Sequence, residues 1–235
     1  MEVWPNLSNY PGLTLKATIS TVICFGYKEL GAKQAKIINA WDFPEWEKDV
    51  NDDKKLCQAA WEILKDADMV ITHNGKRFDW RFLQTRLMVH RLPPLPRIIH
   101  VDTAAQAKAH LFAFNARLNT LAKALTDSQK LEHDGWDMWV KVRKRDPKAM
   151  ALMSKYCKQD VQALEQVYLA MRSLIDQTVN HNLFNVEKDA CPRCGSRNVV
   201  KEGTRTYPTK VVTRYSCHGC RGWFQMPLKS PIPKV

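Results

Sequence analysis

The chain has 235 residues, 45% hydrophobic and 26% charged, a globular mixture that excludes disorder throughout and fibrous repeats. Thirty-six Lys and Arg against 24 Asp and Glu leave a formal charge of +12, which makes a polyanion the first partner to test. No apolar run approaches the roughly 20 residues that span a bilayer, and MEVWPNLSNYPG has neither the basic start nor the apolar centre of a secretory signal, so a soluble, cytoplasmic protein with no membrane partner is expected.

In chain order, the β-branched and aromatic run Thr18 to Tyr27 predicts a strand, and Ala35 to Trp41 predicts its neighbour across a Gly-containing turn. Between Asp52 and Asp66, Leu56, Ala59, Ala60, Ile63 and Leu64 recur at helical spacing. Asp68 to His73 follows as a short, buried strand, and a helix followed by a parallel strand implies an α/β layer. Arg77 to His90 reads as a helix, Ile98 to Val101 as a strand, and Thr103 to Leu125 as two or more helices. A last long helix is predicted from about Pro147 to Ile175, with Met150, Met153, Cys157, Val161, Leu164, Tyr168 and Met171 on one stripe. Residues 176–190 are polar and mixed and read as a linker, and residues 229–235 as a tail.

Charge and cysteines both change character after that linker. From Glu187 onward ten Lys and Arg face three acids, so +7 of the +12 sits in the last 49 residues. Cys24, Cys57 and Cys157 are scattered in apolar or helical contexts and read as buried free thiols. The other four form Cys191-Pro-Arg-Cys194 and Cys217-His-Gly-Cys220, a spacing that can present four thiolates to one tetrahedral Zn²⁺. Gly195 and Gly219 would give these turns their backbone freedom, with short strands at Val199-Val200 and Lys210 to Tyr215 between them. Two disulfides or a redox pair are the competing readings, and His218 is a spare ligand that four thiolates leave without a place. The segment resembles the zinc ribbon family, many of whose members bind nucleic acid and others only protein. Arg205, Lys210, Arg214 and Arg221, among Tyr207, Tyr215, Trp223 and Phe224, suit phosphate contact and base stacking. The alternative is that the aromatics are the core of the small domain and the cations its solvated face.

Two further segments could carry chemistry. His73-Asn-Gly-Lys-Arg-Phe-Asp79 follows a buried strand and opens a helix, so Asp79 should lie at the C-terminal edge of a sheet, where open α/β folds place their sites. In the last helix, the four-residue spacing of Tyr156 and Asp160 puts phenol and carboxylate on one face. Carboxylates gathered at such an edge can hold two Mg²⁺ or Mn²⁺ ions for phosphodiester hydrolysis, with a phenol beside them to orient water. Taken singly, Asn74 and Asp79 could equally cap a helix, and Tyr156 and Asp160 could be a surface pair.

Together these segments resemble the DnaQ-like, or DEDD, 3′–5′ exonucleases of the ribonuclease H-like fold, in the tyrosine-bearing version and the YprB-type branch common in phages and bacteria. Asn74-x-x-x-Phe78-Asp79 corresponds to the second motif of that family and Tyr156-x-x-x-Asp160 to its third. The likeness continues through Val101-Asp102, Arg117 to Leu121 and Lys130 to Trp136, covering about residues 3–175. It implies an α/β fold with a mixed sheet flanked by helices. Asp79 and Asp160 would bind metal, Tyr156 would position the nucleophilic water, and Asn74, with Phe78, would support the loop. Asp102 matches a family position but receives no catalytic role, and His133 is a turn residue or a substrate contact. DNA or RNA is the implied partner, a replication or repair protein is a candidate one, and a bacterial or phage-infected cytoplasm is the implied setting.

One motif is not found. The family's first motif, Asp-x-Glu on the opening strand, supplies two more carboxylates, and that strand is expected to be missing here. In one alignment Val3-Trp4 lies just beyond it; in a weaker one Glu2 is the motif's glutamate and the aspartate would precede Met1. The chain as given is therefore expected to be inactive or impaired as a nuclease, either as part of a longer enzyme or as a degenerate form that only binds nucleic acid. The expected organisation is a nuclease domain over residues 1–178, a zinc ribbon over 187–228 and a tail over 229–235.

Overall fold

The run Ser20-Thr-Val-Ile-Cys-Phe-Gly-Tyr27 extends into a strand in the computed structural model of the chain, which describes residues 2–5, 20–126, 136–175, 180–181 and 190–227. Strands β1 (Glu2–Pro5), β2 (Ser20–Tyr27) and β3 (Lys36–Asn39) form an antiparallel sheet in that order. Val3 pairs with Val22, and Phe25 with Ile38. The hairpin of β2 and β3 matches the sequence reading; β1 does not, because that reading expects no strand there. After a 3-10 turn at Ala40–Asp42 come α1 (Pro44–Lys48), with Pro at its start, and α2 (Lys54–Leu64). Then β4 (Met69–Thr72), α3 (Asp79–Val89) and β5 (Ile99–Asp102) follow, β4 and β5 running parallel with Met69 opposite Ile99. The expected mixture of parallel and antiparallel strands is present, but among the described residues as two ladders rather than one sheet.

Helices α4 (Thr103–His110), α5 (Leu118–Leu125), α6 (Trp136–Arg143) and α7 (Pro147–Met171) complete the larger part. Asp146 accepts from the backbone N–H groups of Lys148 and Ala149, and Pro147 needs no such partner, so α7 starts where an N-cap and a first-turn proline coincide. Helix α7 lies against the hairpin because Gly26 has no side chain. A Cβ there would come within 2.8 Å of Cys157 Sγ and 2.9 Å of Val161. Ser154 bonds Asn39 at 2.8 Å, and Glu165 takes Lys28 and the N–H of Gly31, fixing the helix to both ends of the hairpin.

The core is tied by a polar knot. Asp53, 1% exposed, accepts from Val22 N at 2.7 Å, from both nitrogens of the Arg86 fork and from His90 Nε2 at 2.6 Å, linking β2, α2 and α3. Apolar Val22, Leu56, Phe82 and Leu87 surround it.

The chain divides into two compact units, Met1–Val167 and Tyr168–Val235, the division falling within α7. In the second unit β6 (Val199–Tyr207), β7 (Lys210–Cys217) and β8 (Trp223–Pro227) form an antiparallel sheet, longer at β6 than the two residues expected. Within it Arg172 donates to the carbonyl of Arg193, and Arg193 to that of Ser173. His133, most of the linker and the tail lie outside the described residues.

Candidate active site and four-cysteine centre

The loop between β4 and α3 is shaped by two residues that tolerate what others would not. Asn74 adopts φ +59°, a left-handed conformation that asparagine accepts more readily than most residues. Gly75 is buried, and a Cβ there would sit 2.6 Å from that of Thr72. Asp102, at the end of β5, holds the loop by accepting from Asn74 N at 2.8 Å and Lys76 N at 3.1 Å. It caps α4 through Ala104 N and Ala105 N. Sequence reasoning assigns Asp102 no function; its four backbone partners make it the organiser of the strand ends, signalled only by its place just before a helix. Phe78, half-exposed, stacks on Phe82 at 6.0 Å.

Asp79 opens α3 directly after this loop. Tyr156 is buried on α7 with Ile23, Met138 and Met153, and Asp160 lies one turn further on, half-buried. His73, bonded to Thr103 Oγ1 at 2.9 Å and to the backbone of Ala116, feels Asp102 and Asp160. His100, bonded to Thr72 Oγ1 at 2.8 Å and edge-on to Trp80, feels Asp102 and Asp79. Burial pushes both rings below their ordinary value, against the pull of those carboxylates. Both are therefore neutral at pH 7 and add no positive charge. Asp102 thus ends β5 and His73 follows the last residue of β4, with Asp79 next at the start of α3. Among the described residues Asp79 and Asp160 belong to no cluster of three ligands; carboxylates are the donor type Mg²⁺ prefers, and it commonly takes only one or two alongside substrate phosphate and water.

The four cysteines meet the geometric test for zinc. All their Sγ atoms lie within 4.8 Å of one another, Cys191 to Cys220 at 3.8 Å and Cys194 to Cys217 at 3.6 Å. A tetrahedral ion with Zn–S of about 2.3 Å requires sulfurs about 3.8 Å apart, whereas a disulfide needs about 2.05 Å. All four cysteines are free thiols. Backbone N–H groups of Arg193 and Cys194 point at the sulfur of Cys191. Burial raises the Cys191 and Cys194 thiols, whereas at Cys217 the N–H groups of Cys220 and Gly219 and the neighbouring thiols outweigh burial and bring it down to about 7. Gly195 has the expected positive φ, 69°, but Gly219 does not: its counterpart in the second turn is Arg221, at 59°. Gly219 is instead needed for room, since a Cβ there would sit 2.6 Å from Ser196. His218 lies outside the cluster.

Cross-strand register divides the aromatics of this sheet between its two faces, two on the cysteine side and two on the other. Tyr215 pairs with Phe224, stacked at 5.2 Å on the cysteine side. The pairs Arg205–Val212, Tyr207–Lys210, Arg214–Gln225 and Ser216–Trp223 face the other way. There Arg205 and Lys210 lie 5.4 and 5.6 Å from the Tyr207 ring centroid, and Arg214 lies 5.2 Å from that of Trp223. Arg221 stands apart in its turn.

A family described as the RNase H superfamily matches residues 14–172, more than half of the chain, ending before the first of the four cysteines. No curated protein matches the chain.

Proposed function

The chain belongs to the RNase H superfamily, and on that premise we propose that its larger part is a metal-dependent 3′–5′ exonuclease domain of the DnaQ-like, tyrosine-bearing, YprB-type branch. The observation that carries this reading is that Asp79 opens α3 beyond the C-terminal end of β4, on the loop held by Asp102, while Asp160 lies one turn past Tyr156 on α7. Bound there, Mg²⁺ or Mn²⁺ would activate water and stabilise the leaving oxygen of a phosphodiester. Asp79 and Asp160 would hold the cations, and Tyr156, four residues before Asp160 on the same helix face, would orient the attacking water. His73 and His100, neutral, leave the positive charge to the metals. Asp102 keeps the loop bearing Asn74 and Asp79 in place.

Strand β1 begins at Glu2 and pairs with β2, which supports the alignment in which Glu2 is the glutamate of the first motif. The sequence as given is proposed to cleave weakly, and the same chain with Asp placed ahead of Met1 to cleave well. Single strands labelled at either end should then lose nucleotides from the 3′ end first, leaving a ladder on the 5′-labelled strand. Equal degradation of closed single-stranded circles would overturn the exonuclease assignment.

The second unit is proposed as a Zn²⁺ ribbon that holds DNA or RNA through Arg205, Lys210 and Arg214, with Arg221 at its margin. A second reading, a binding protein without catalysis, is favoured by the cation-on-aromatic face of this sheet. Salt-sensitive binding with no cleavage after the added Asp would establish it.

A further inference from the structure

Between α4 and α5, Phe112 and Phe114 are fully exposed, their ring centroids 6.4 Å apart and the planes tilted by 59°. Two phenylalanines wholly in water on one short loop are not explained by folding, since neither ring buries any of its area in the chain. The loop that bears them is nonetheless fixed. Leu111 N bonds Ala107 O at 2.8 Å, Asn115 Oδ1 accepts from Arg117 N and Thr120 Oγ1, and Ala116 is buried. Its far end is bound to the candidate site, because the His73 ring bonds the backbone of Ala116 and His73 immediately precedes Asn74. The stretch of chain that bears them is cationic. From Thr103 to Leu125 there is no Asp or Glu, and Lys108 and Arg117 are exposed on either side of the pair.

We propose that Phe112 and Phe114 are a stacking platform for the bases of a single-stranded nucleic-acid end, with Lys108 and Arg117 taking its phosphates. Flat apolar rings serve any base, and flanking cations on a stretch of chain without acids suit a polyanion better than an apolar protein groove. The proposal rests on the nuclease reading for the direction of the strand, but its test needs no cleavage.

Binding of a fluorescent oligothymidylate is compared with that of an abasic oligonucleotide of equal length, without divalent metal, using the full chain and Phe112→Ala/Phe114→Ala. Both rings are outside the core, so the variant should melt at the parent's temperature. The affinity for oligothymidylate is expected to fall about 5- to 100-fold. Affinity for the abasic strand should stay unchanged, and Phe112→Trp/Phe114→Trp should retain the preference for bases. Equal binding of oligothymidylate by parent and Ala variant would overturn the platform. So would an equal loss on both strands, or a parent dimer that the Ala variant converts to monomer, which would make the pair a surface for a second copy. Absence of cleavage with this base preference intact would count against the nuclease reading alone.

Discussion

At Asp53 a single carboxylate meets a backbone N–H, a guanidinium and an imidazole inside the core. Burial acts to raise its pKa, but the bonds from His90 and Arg86, the charge of Arg86 and the Val22 N–H prevail and hold it below the usual carboxylate value. The sign of the consequence follows from linkage. A carboxylate depressed in the folded state contributes stability that is present above the unfolded value of about 3.9 and is lost as pH falls through the folded one. Acid unfolding of the larger unit should therefore steepen below about pH 4. Asp53→Asn should flatten that slope while lowering stability at pH 7 by about 3–5 kcal/mol, since it leaves Arg86 buried without its counter-charge. Urea unfolding at a series of pH values measures both; an unchanged acid slope would remove Asp53 from the account. The same cluster brings Cys57 close to Asp53 and His90, yet Arg86 already occupies the carboxylate, so the trio is an ion pair with a buried thiol rather than a cation site.

Among the elements, α7 decides whether a site can exist, because it carries both Tyr156 and Asp160. Its approach to β2 depends on Gly26, so Gly26→Ala forces Cys157 and Val161 outward. The expected cost is about 1–3 kcal/mol in stability, with metal affinity at Asp160 falling as the helix is displaced. Thermal melting and Mn²⁺ titration check it, and unaltered values for both would contradict the packing described. Most elements are legible in the sequence itself. The β-branched run of β2, the helical spacing of Leu56 to Leu64 and the apolar strand β4 each follow from local pattern. Helix α1 is not legible, being five residues long and starting at a proline, nor is α6, whose buried Met138 and Val142 form a pattern too short to read. Of the candidate residues, Asn74, Asp79, Tyr156 and Asp160 stand out in the sequence because their spacing matches a motif. Asp102, His73 and His100 act through tertiary contacts that spacing does not encode. The same limit explains Gly219 and Arg221: sequence points to glycine for a positive φ, and only the folded turn shows that room is needed at one position and a left-handed arginine tolerated at the other.

At the scale of the whole molecule, more than half of the excess charge and all four cysteines paired in Cys-x-x-Cys belong to the second unit, while the family match covers chiefly the first. So small a sheet has little core of its own, and its fold should depend on metal. About one zinc per chain is expected, and chelation should abolish the near-ultraviolet signal of Tyr215 while leaving the helices intact. Retention of that signal after complete zinc removal would show that the ribbon folds without it. No helix among the described residues is long and apolar enough to cross a membrane. The proposed function assigns the catalytic cations to Asp79 and Asp160. It is tested most directly by measuring Mn²⁺-dependent nucleotide release from a 3′-labelled single strand by the chain with Asp ahead of Met1, alongside its Asp79→Asn and Asp160→Asn variants. Release should stop on chelation and fall at least about 100-fold in each variant while strand binding persists, a loss of roughly 2.7 kcal/mol or more in transition-state stabilisation; release undiminished in Asp160→Asn would overturn the assignment.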